Sequence, residues 1–183
     1  VDLGAGLLRT YTIDPTGEGA AALVEGLATP LLPGSGPRHA VVLPDGRLAV
    51  TGELGSNLLV GRSGSPGNWV AVPSTARTGP AKTRHLRNYP GDIARSPDGR
   101  FVYFANRGYD TITTFDVTGP VPVAVSELDS TVAWPQHLLA REDHLLVAGW
   151  DSSKVVVVPL AGGVPISAEP LLNCAGAGWI LAF

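Results

Sequence analysis

Short apolar runs cut by turn residues recur along this chain, and their order repeats. Gly36–Val60 reads GPRHAVVLPDGRLAVTGELGSNLLV, Pro90–Phe115 reads PGDIARSPDGRFVYFANRGYDTITTF, and Pro135–Val158 reads PQHLLAREDHLLVAGWDSSKVVVV. Each has an apolar run, a turn, a second apolar run, a short polar loop and a third apolar run. Val, Ile, Thr, Phe and Tyr fill the runs, as in FVYFA and VVVV, so the pattern predicts strands. Pro44-Asp45-Gly46 and Pro97-Asp98-Gly99 predict tight turns, because Pro presets φ and Gly tolerates positive φ. The third unit lacks that tripeptide. A weaker fourth strand is expected after each third run, at Ala21–Glu25, Trp69–Val72, Val121–Val125 and Ile166–Pro170. For the first of these, GEGAAALVEGLA also has the propensity of a short helix.

Aligned on the third run, Leu58, Ile112 and Val155 are equivalent, and Leu7 heads the same run in an incomplete unit. Asp2, Glu53, Arg107 and Trp150 then stand five residues before each. Four strands per repeat of about 40–50 residues is the signature of a propeller blade. The expected fold is an all-β propeller of four-stranded antiparallel blades, about three and a half of them, in one domain over 1–183. Its parts are the end of one blade at 1–30 and blades at 36–73, 90–126 and 135–170. A closing strand is expected at Cys174–Phe183.

Composition narrows the function classes. The chain has 183 residues and a net charge of −3, which argues against a nucleic-acid-binding surface. Its 23 Gly and 16 Pro fit dense turns in an otherwise apolar chain. The lone cysteine, Cys174, excludes an intrachain disulfide and a thiolate metal cluster. Scattered single His residues without an acidic cluster point to no metal, and no cofactor is implied. No apolar run approaches the ~18 residues of a membrane span, and no signal-peptide pattern is visible, so a cytoplasmic location is expected. The start in mid-blade and the absence of Met suggest a fragment whose missing N-terminal blades, or a second copy, cover the open ends. Closure into a small four-bladed ring is the other possibility.

Propeller topology puts the start of each inner strand and the loop between the second and third strands on one face, and the Pro-Asp-Gly turns on the other. Arg38, His39, Glu53 and Arg107 therefore share a face near the channel, a set suited to an anionic, oxygen-rich ligand. Glu53 has a general-base reading, but the residues alone favour a solvated loop glutamate or an ion-pair partner of Arg107 across neighbouring blades. Strand alternation points Arg38 into the channel and packs His39 between blades, with His137 in an equivalent place. Asn106 reads as structural, and Asp2 as an acceptor for loop N–H groups. His85 and His144 read as surface residues. The acid-free stretch carrying Arg77, Lys82, Arg84 and Arg87 predicts a solvated basic loop on the same face, and it is capable of steering an anion.

The motifs DLG at Asp2–Gly4, GPRH at Gly36–His39, GEL at Gly52–Leu54, SPDGRFVYFANRG at Ser96–Gly108 and PQH at Pro135–His137 resemble the lactonase family of seven-bladed propellers. That family includes bacterial 6-phosphogluconolactonases and fungal carboxy-muconate cyclases. The resemblance covers most of the chain and corresponds to the C-terminal half of a member. It implies a sugar-lactone hydrolase in which Glu53 or His39 activates water while Arg38 and Arg107 hold an anionic substrate. A muconate-type cycloisomerase using the same groups remains open. So does a non-catalytic binding propeller, for which Trp150 stands where other units place charge. The family's N-terminal site residues, a histidine motif among them, have no counterpart here, which puts the isolated chain's own activity in question.

Overall fold

The computed structural model describes residues 1–77 and 87–181. Three four-stranded antiparallel sheets follow one another, each running from an inner to an outer strand. The first is β3 (Pro37–Val42), β4 (Leu48–Gly52), β5 (Asn57–Gly61) and β6 (Val70–Pro73). The second is β7 (Tyr89–Arg95), β8 (Phe101–Arg107), β9 (Thr111–Asp116) and β10 (Val123–Asp129). The third is β11 (Pro135–Ala140), β12 (His144–Gly149), β13 (Lys154–Ala161) and β15 (Glu169–Asn173), with the two-residue β14 (Val164–Pro165) paired to the end of β13. A two-stranded sheet of β1 (Leu7–Ile13) and β2 (Leu23–Pro30) precedes them. The fold is a partial β-propeller, as its repeats predict.

The core lies between blades. Leu58, Val60 and Ala49 of one blade meet Ile93, Val102, Phe104 and Phe115 of the next. The other face of that second blade presents Tyr103, Ala105 and Ile112 to Leu138, Leu145, Val147 and Val156. Leu8 of β1 and Leu31, just past β2, pack on Val50, Leu59 and Trp69. Successive residues of β8 thus serve opposite neighbours, which is why all seven are buried and why the run reads as continuously apolar rather than alternating. The inner strands β3, β7 and β11 stand side by side and line the channel.

The Pro-Asp-Gly turns lie together at the far ends of the strands, beside Arg47 and Arg100. Asp45 and Asp98 each accept the N–H two residues on, and Gly46 and Gly99 have φ of 80° and 74°. The outer strands depart from expectation. β2 continues to Pro30 behind a single 3-10 turn at Gly19–Ala22, β10 continues to Asp129, and the last outer strand is shifted to Glu169–Asn173. These strands are largely exposed, so backbone pairing rather than an apolar pattern sets their limits. The expected closing strand at Cys174–Phe183 is not formed over Cys174–Leu181. A turn at Gly176, with φ of 64°, breaks the extended run, and Trp179 and Ile180 are held instead against His137.

Candidate functional site

The site begins with a repeated irregularity of the inner strands. In β3, Pro37 pairs with Gly52 and Ala40 with Val50, so Arg38 and His39 together oppose Thr51 alone. In β7, Pro90 pairs with Asn106 and Ile93 with Phe104, leaving Gly91 and Asp92 opposite Ala105. In β11 the extra residue is Gln136. Each is a β-bulge, and a bulge re-aims side chains that strict alternation would separate. Thr51 Oγ1 accepts the His39 N–H at 2.9 Å, which satisfies a backbone donor the bulge takes out of the ladder.

The expectation that Arg38 alone faces the channel and His39 packs between blades is therefore corrected. Both side chains reach one cleft, because two residues at the bulge occupy the place of one. The four residues proposed from the sequence come together. Glu53 lies between two guanidiniums: Arg38 Nε is 3.1 Å from Oε2 and Arg107 Nη2 is 2.9 Å from Oε1. Arg107 also donates to Tyr89 O at 3.0 Å and Gln136 Oε1 at 3.2 Å, and its guanidinium lies over the Trp134 ring. It is only 5% exposed, so its donors are spent on the protein. Burial lowers its pKa, as does the charge of Arg38, while Glu53 opposes both. Space for this side chain comes from Gly91, where a Cβ would stand 2.9 Å from Arg107 Nε.

Beside this clamp runs a second row. His39 Nδ1 donates to Asp92 Oδ1 at 2.5 Å, Asp92 Oδ2 accepts the Leu138 N–H at 2.8 Å, and His137 Nε2 stands 3.5 Å from the same oxygen. Arg38 Nη1 lies 3.0 Å from Gly91 O and 3.1 Å from His39 Nε2. Arginine has no acceptor, so His39 Nε2 must be the acceptor and Nδ1 the protonated nitrogen. The tautomer of His137 follows similarly, since its Nδ1 accepts the Ile180 N–H at 3.3 Å. Burial alone would raise the Asp92 pKa. The hydrogen bonds from His39 and Leu138, with the two imidazoles' positive potential, outweigh it and hold the carboxyl below its usual value. Burial pushes His137 down and so favours its neutral form.

Asp92 was not among the residues singled out from the sequence. Its signal is the repeat itself: Pro37-Arg38-His39, Pro90-Gly91-Asp92 and Pro135-Gln136-His137 put His, Asp and His at equivalent places on three adjacent inner strands. Trp179 carries no comparable signal. A cleft of about 500 Å³ opens over Arg38, His39, Asp92, His137, Trp179 and Val1. A groove of about 560 Å³ between β6 and β10 shares none of these residues.

The other sequence expectations fall outside the cleft. Asp2 accepts the Ala5 N–H and the Arg9 side chain, and so pins its loop. Asn106 is fully buried and bonded to Asn88, Thr111 and Thr113, a structural role. Trp150 is half exposed beside Gly178. His144 bonds Asp143 at the turn between β11 and β12. Arg77 pairs with Glu127 and Arg87 lies over Tyr89. The rest of the basic stretch, with Lys82, Arg84 and His85, lies outside the described residues.

The family "Lactonase, 7-bladed beta-propeller" matches residues 1–162. The 6-phosphogluconolactonase of Bacillus subtilis is 31% identical over 119 residues, 64% of this chain and 32% of that protein. YwcC of Lactococcus lactis is 30% identical over 132 residues, 67% of this chain and 37% of that protein. Among solved structures, a Lactobacillus plantarum protein superposes with a TM-score of 0.83 at 22% identity, covering 97% of this chain and 52% of that one. PpgL, the periplasmic gluconolactonase of Pseudomonas aeruginosa, does so at 0.70 with 24% identity, covering 95% and 50%. The chain thus spans about a third of the curated relatives and half of the solved ones. With the family's profile matched over residues 1–162 and its blade architecture in place, the chain belongs to the lactonase family of seven-bladed β-propellers.

Proposed function

We propose that this chain carries the water-activating and carbonyl-binding groups of a lactonase-type hydrolase acting on a sugar lactone. The observation that carries the reading is His39, with Asp92 holding its Nδ1–H and Arg38 Nη1 covering its Nε2 lone pair. A lactone carbonyl oxygen that takes up Arg38 Nη1 strengthens its own polarisation and frees Nε2 to accept a proton from water. Water oxygen then bonds the carbonyl carbon as its proton passes to Nε2. The ring C–O bond breaks, and the same proton goes to the departing alkoxide, leaving a hydroxy acid. Asp92 stabilises the transient imidazolium.

Glu53 and Arg107 have supporting roles in this reading. Glu53 has both oxygens committed, one to each guanidinium. It holds Arg38 in line with the cleft, and Arg107 holds Glu53. Arg107 is buried among protein acceptors whereas Arg38 lines the cleft, so Arg38 is the guanidinium placed to meet an anionic substituent. The name of the Bacillus subtilis relative makes a phosphorylated gluconolactone the first substrate to try, and that of PpgL the unphosphorylated one.

The test is hydrolysis of both lactones, followed by base uptake at constant pH. His39→Gln should lower kcat by about 100-fold, the scale of a positioned general base. No turnover by the wild type, or a His39→Gln variant near wild-type rate, overturns the proposal. If Glu53→Gln removes turnover while the protein stays folded and His39→Gln does not, Glu53 is the base.

A further inference from the structure

The cleft has a wall that the proposed chemistry does not use. Trp179 is 61% exposed. Its ring lies 3.9 Å from the His137 ring, tilted by 38°, and 6.3 Å edge-on from His39. The next residue anchors it: the Ile180 N–H donates to His137 Nδ1, and Ile180 packs with buried Ala177 on Ala148 and Val155. A large aromatic surface is thus left open, braced on one side by His137, at the rim of a cleft whose other groups, Arg38, His39 and Asp92, are hydrogen-bonding.

An open indole beside polar groups suits a ligand with an apolar face and a polar edge. A pyranose-like ring is such a ligand. Its axial C–H bonds make a weakly positive apolar face suited to the indole's negative face, while its hydroxyls stay at the edge. Phosphate alone offers no such face, and a flat hydrocarbon would desolvate Arg38 and His39 with no new polar partner. We propose that Trp179 is the stacking platform for the ring of a polyhydroxylated six-membered lactone, setting the substrate class of the site by its shape. This rests on the lactonase reading only for the word lactone. The platform itself is a binding claim.

The test separates the two. D-Glucono-δ-lactam, a stable ring isostere that is not hydrolysed, is titrated calorimetrically, and turnover of glucono-δ-lactone is measured in parallel. Covering about 50 Å² of apolar indole surface corresponds to roughly a tenfold change in affinity. Trp179→Leu should therefore weaken lactam binding and raise KM about tenfold, with kcat within about twofold. Trp179→Phe should recover most of the loss, which a merely structural role would not require. Unchanged lactam affinity in Trp179→Leu, or a fall in kcat at constant KM, overturns the platform. So does a rise in activity, which would make the segment an obstruction. Trp179-dependent lactam binding without turnover sustains the platform and sinks hydrolysis. Turnover that ignores Trp179 does the reverse.

Discussion

Replacing Gly91 with Ala tests whether the inner-strand bulge is built around Arg107. The backbone of Gly91 does not need a glycine for its φ, so the added methyl acts through space alone. That methyl would stand 2.9 Å from Arg107 Nε, 3.0 Å from Cδ and 3.3 Å from Cγ, all closer than ordinary contact. Arg107 has little freedom to yield, being tied to Glu53, Tyr89 O and Gln136. Two responses are open. The guanidinium withdraws and loses a charge-assisted contact of about 1.5–3 kcal/mol, or β7 shifts at the overpacking cost of about 1–3 kcal/mol. Either way the expected loss is about 2 kcal/mol, which for a chain of this size lowers Tm by about 4–8 °C. Urea and thermal unfolding followed by near-ultraviolet circular dichroism measure it.

Two comparisons make that experiment decisive. Gly119→Ala meets its nearest neighbour at 3.6 Å, an ordinary contact, and should change stability by less than about 0.5 kcal/mol. In an Arg107→Ala background the clash is gone, so Gly91→Ala should cost less than about 0.5 kcal/mol there, a coupling of the kind that contacting residues show. A Gly91→Ala variant as stable as wild type refutes the reasoning. An equal cost with and without Arg107 places the strain in the backbone instead.

Four further outcomes follow from the same geometry. Asp92→Ala leaves the Leu138 N–H without its buried acceptor and should destabilise by about 1–3 kcal/mol in urea unfolding. In the wild type, Asp92's lowered pKa contributes stability that is present above the ordinary carboxylate value and lost as pH falls through the lower folded value, an acid-limb loss that Asp92→Asn should flatten. His137 titrates below its ordinary value of 6.5, so as pH falls through 6.5 the unfolded chain takes up a proton that the folded one resists; His137→Gln should remove that part of the stability loss below neutrality, read from Tm against pH. Arg38→Ala should lower kcat and raise KM for lactone with little change in Tm, whereas Arg107→Ala should lower Tm first, because Arg38 faces the cleft and Arg107 is buried among protein acceptors.

Much of the fold was legible because blades bury both faces of their middle strands. FVYFANR reads as a strand from its β-branched and aromatic content, and its lack of alternation records two neighbouring blades rather than one. Outer strands escaped because their information is not in side chains. VSELD in β10 pairs with β9 through its backbone, and among Ser126, Glu127 and Asp129 a single partly buried Leu128 gives its end no repeating apolar signature. The segment after Cys174 was misread for a related reason. Its Trp179 and Ile180 satisfy strand propensity, yet their partners are an imidazole and a small patch on β12 and β13 rather than a strand edge.

The site was legible as a set and illegible as a geometry. Arg38, His39, Glu53 and Arg107 were brought to one face by counting strands, which topology alone permits. Their orientation depended on the bulge, and alternation, the rule used to orient them, is the rule a bulge suspends. The bulge nevertheless leaves a trace in the comparison of units. Where two units place a large polar residue after the proline, Arg38 and Gln136, the unit between them places Gly91, and where those two place His, it places Asp92. A gap between two bulky residues demands a filler, and Arg107 fills it. An acid between two imidazoles demands that all three face one another, which regular strands carrying Arg38 into the same cleft would not allow. Reading the three inner strands across the ring, position by position, therefore predicts both the bulge and the His–Asp–His row, where reading each strand along its length predicts neither.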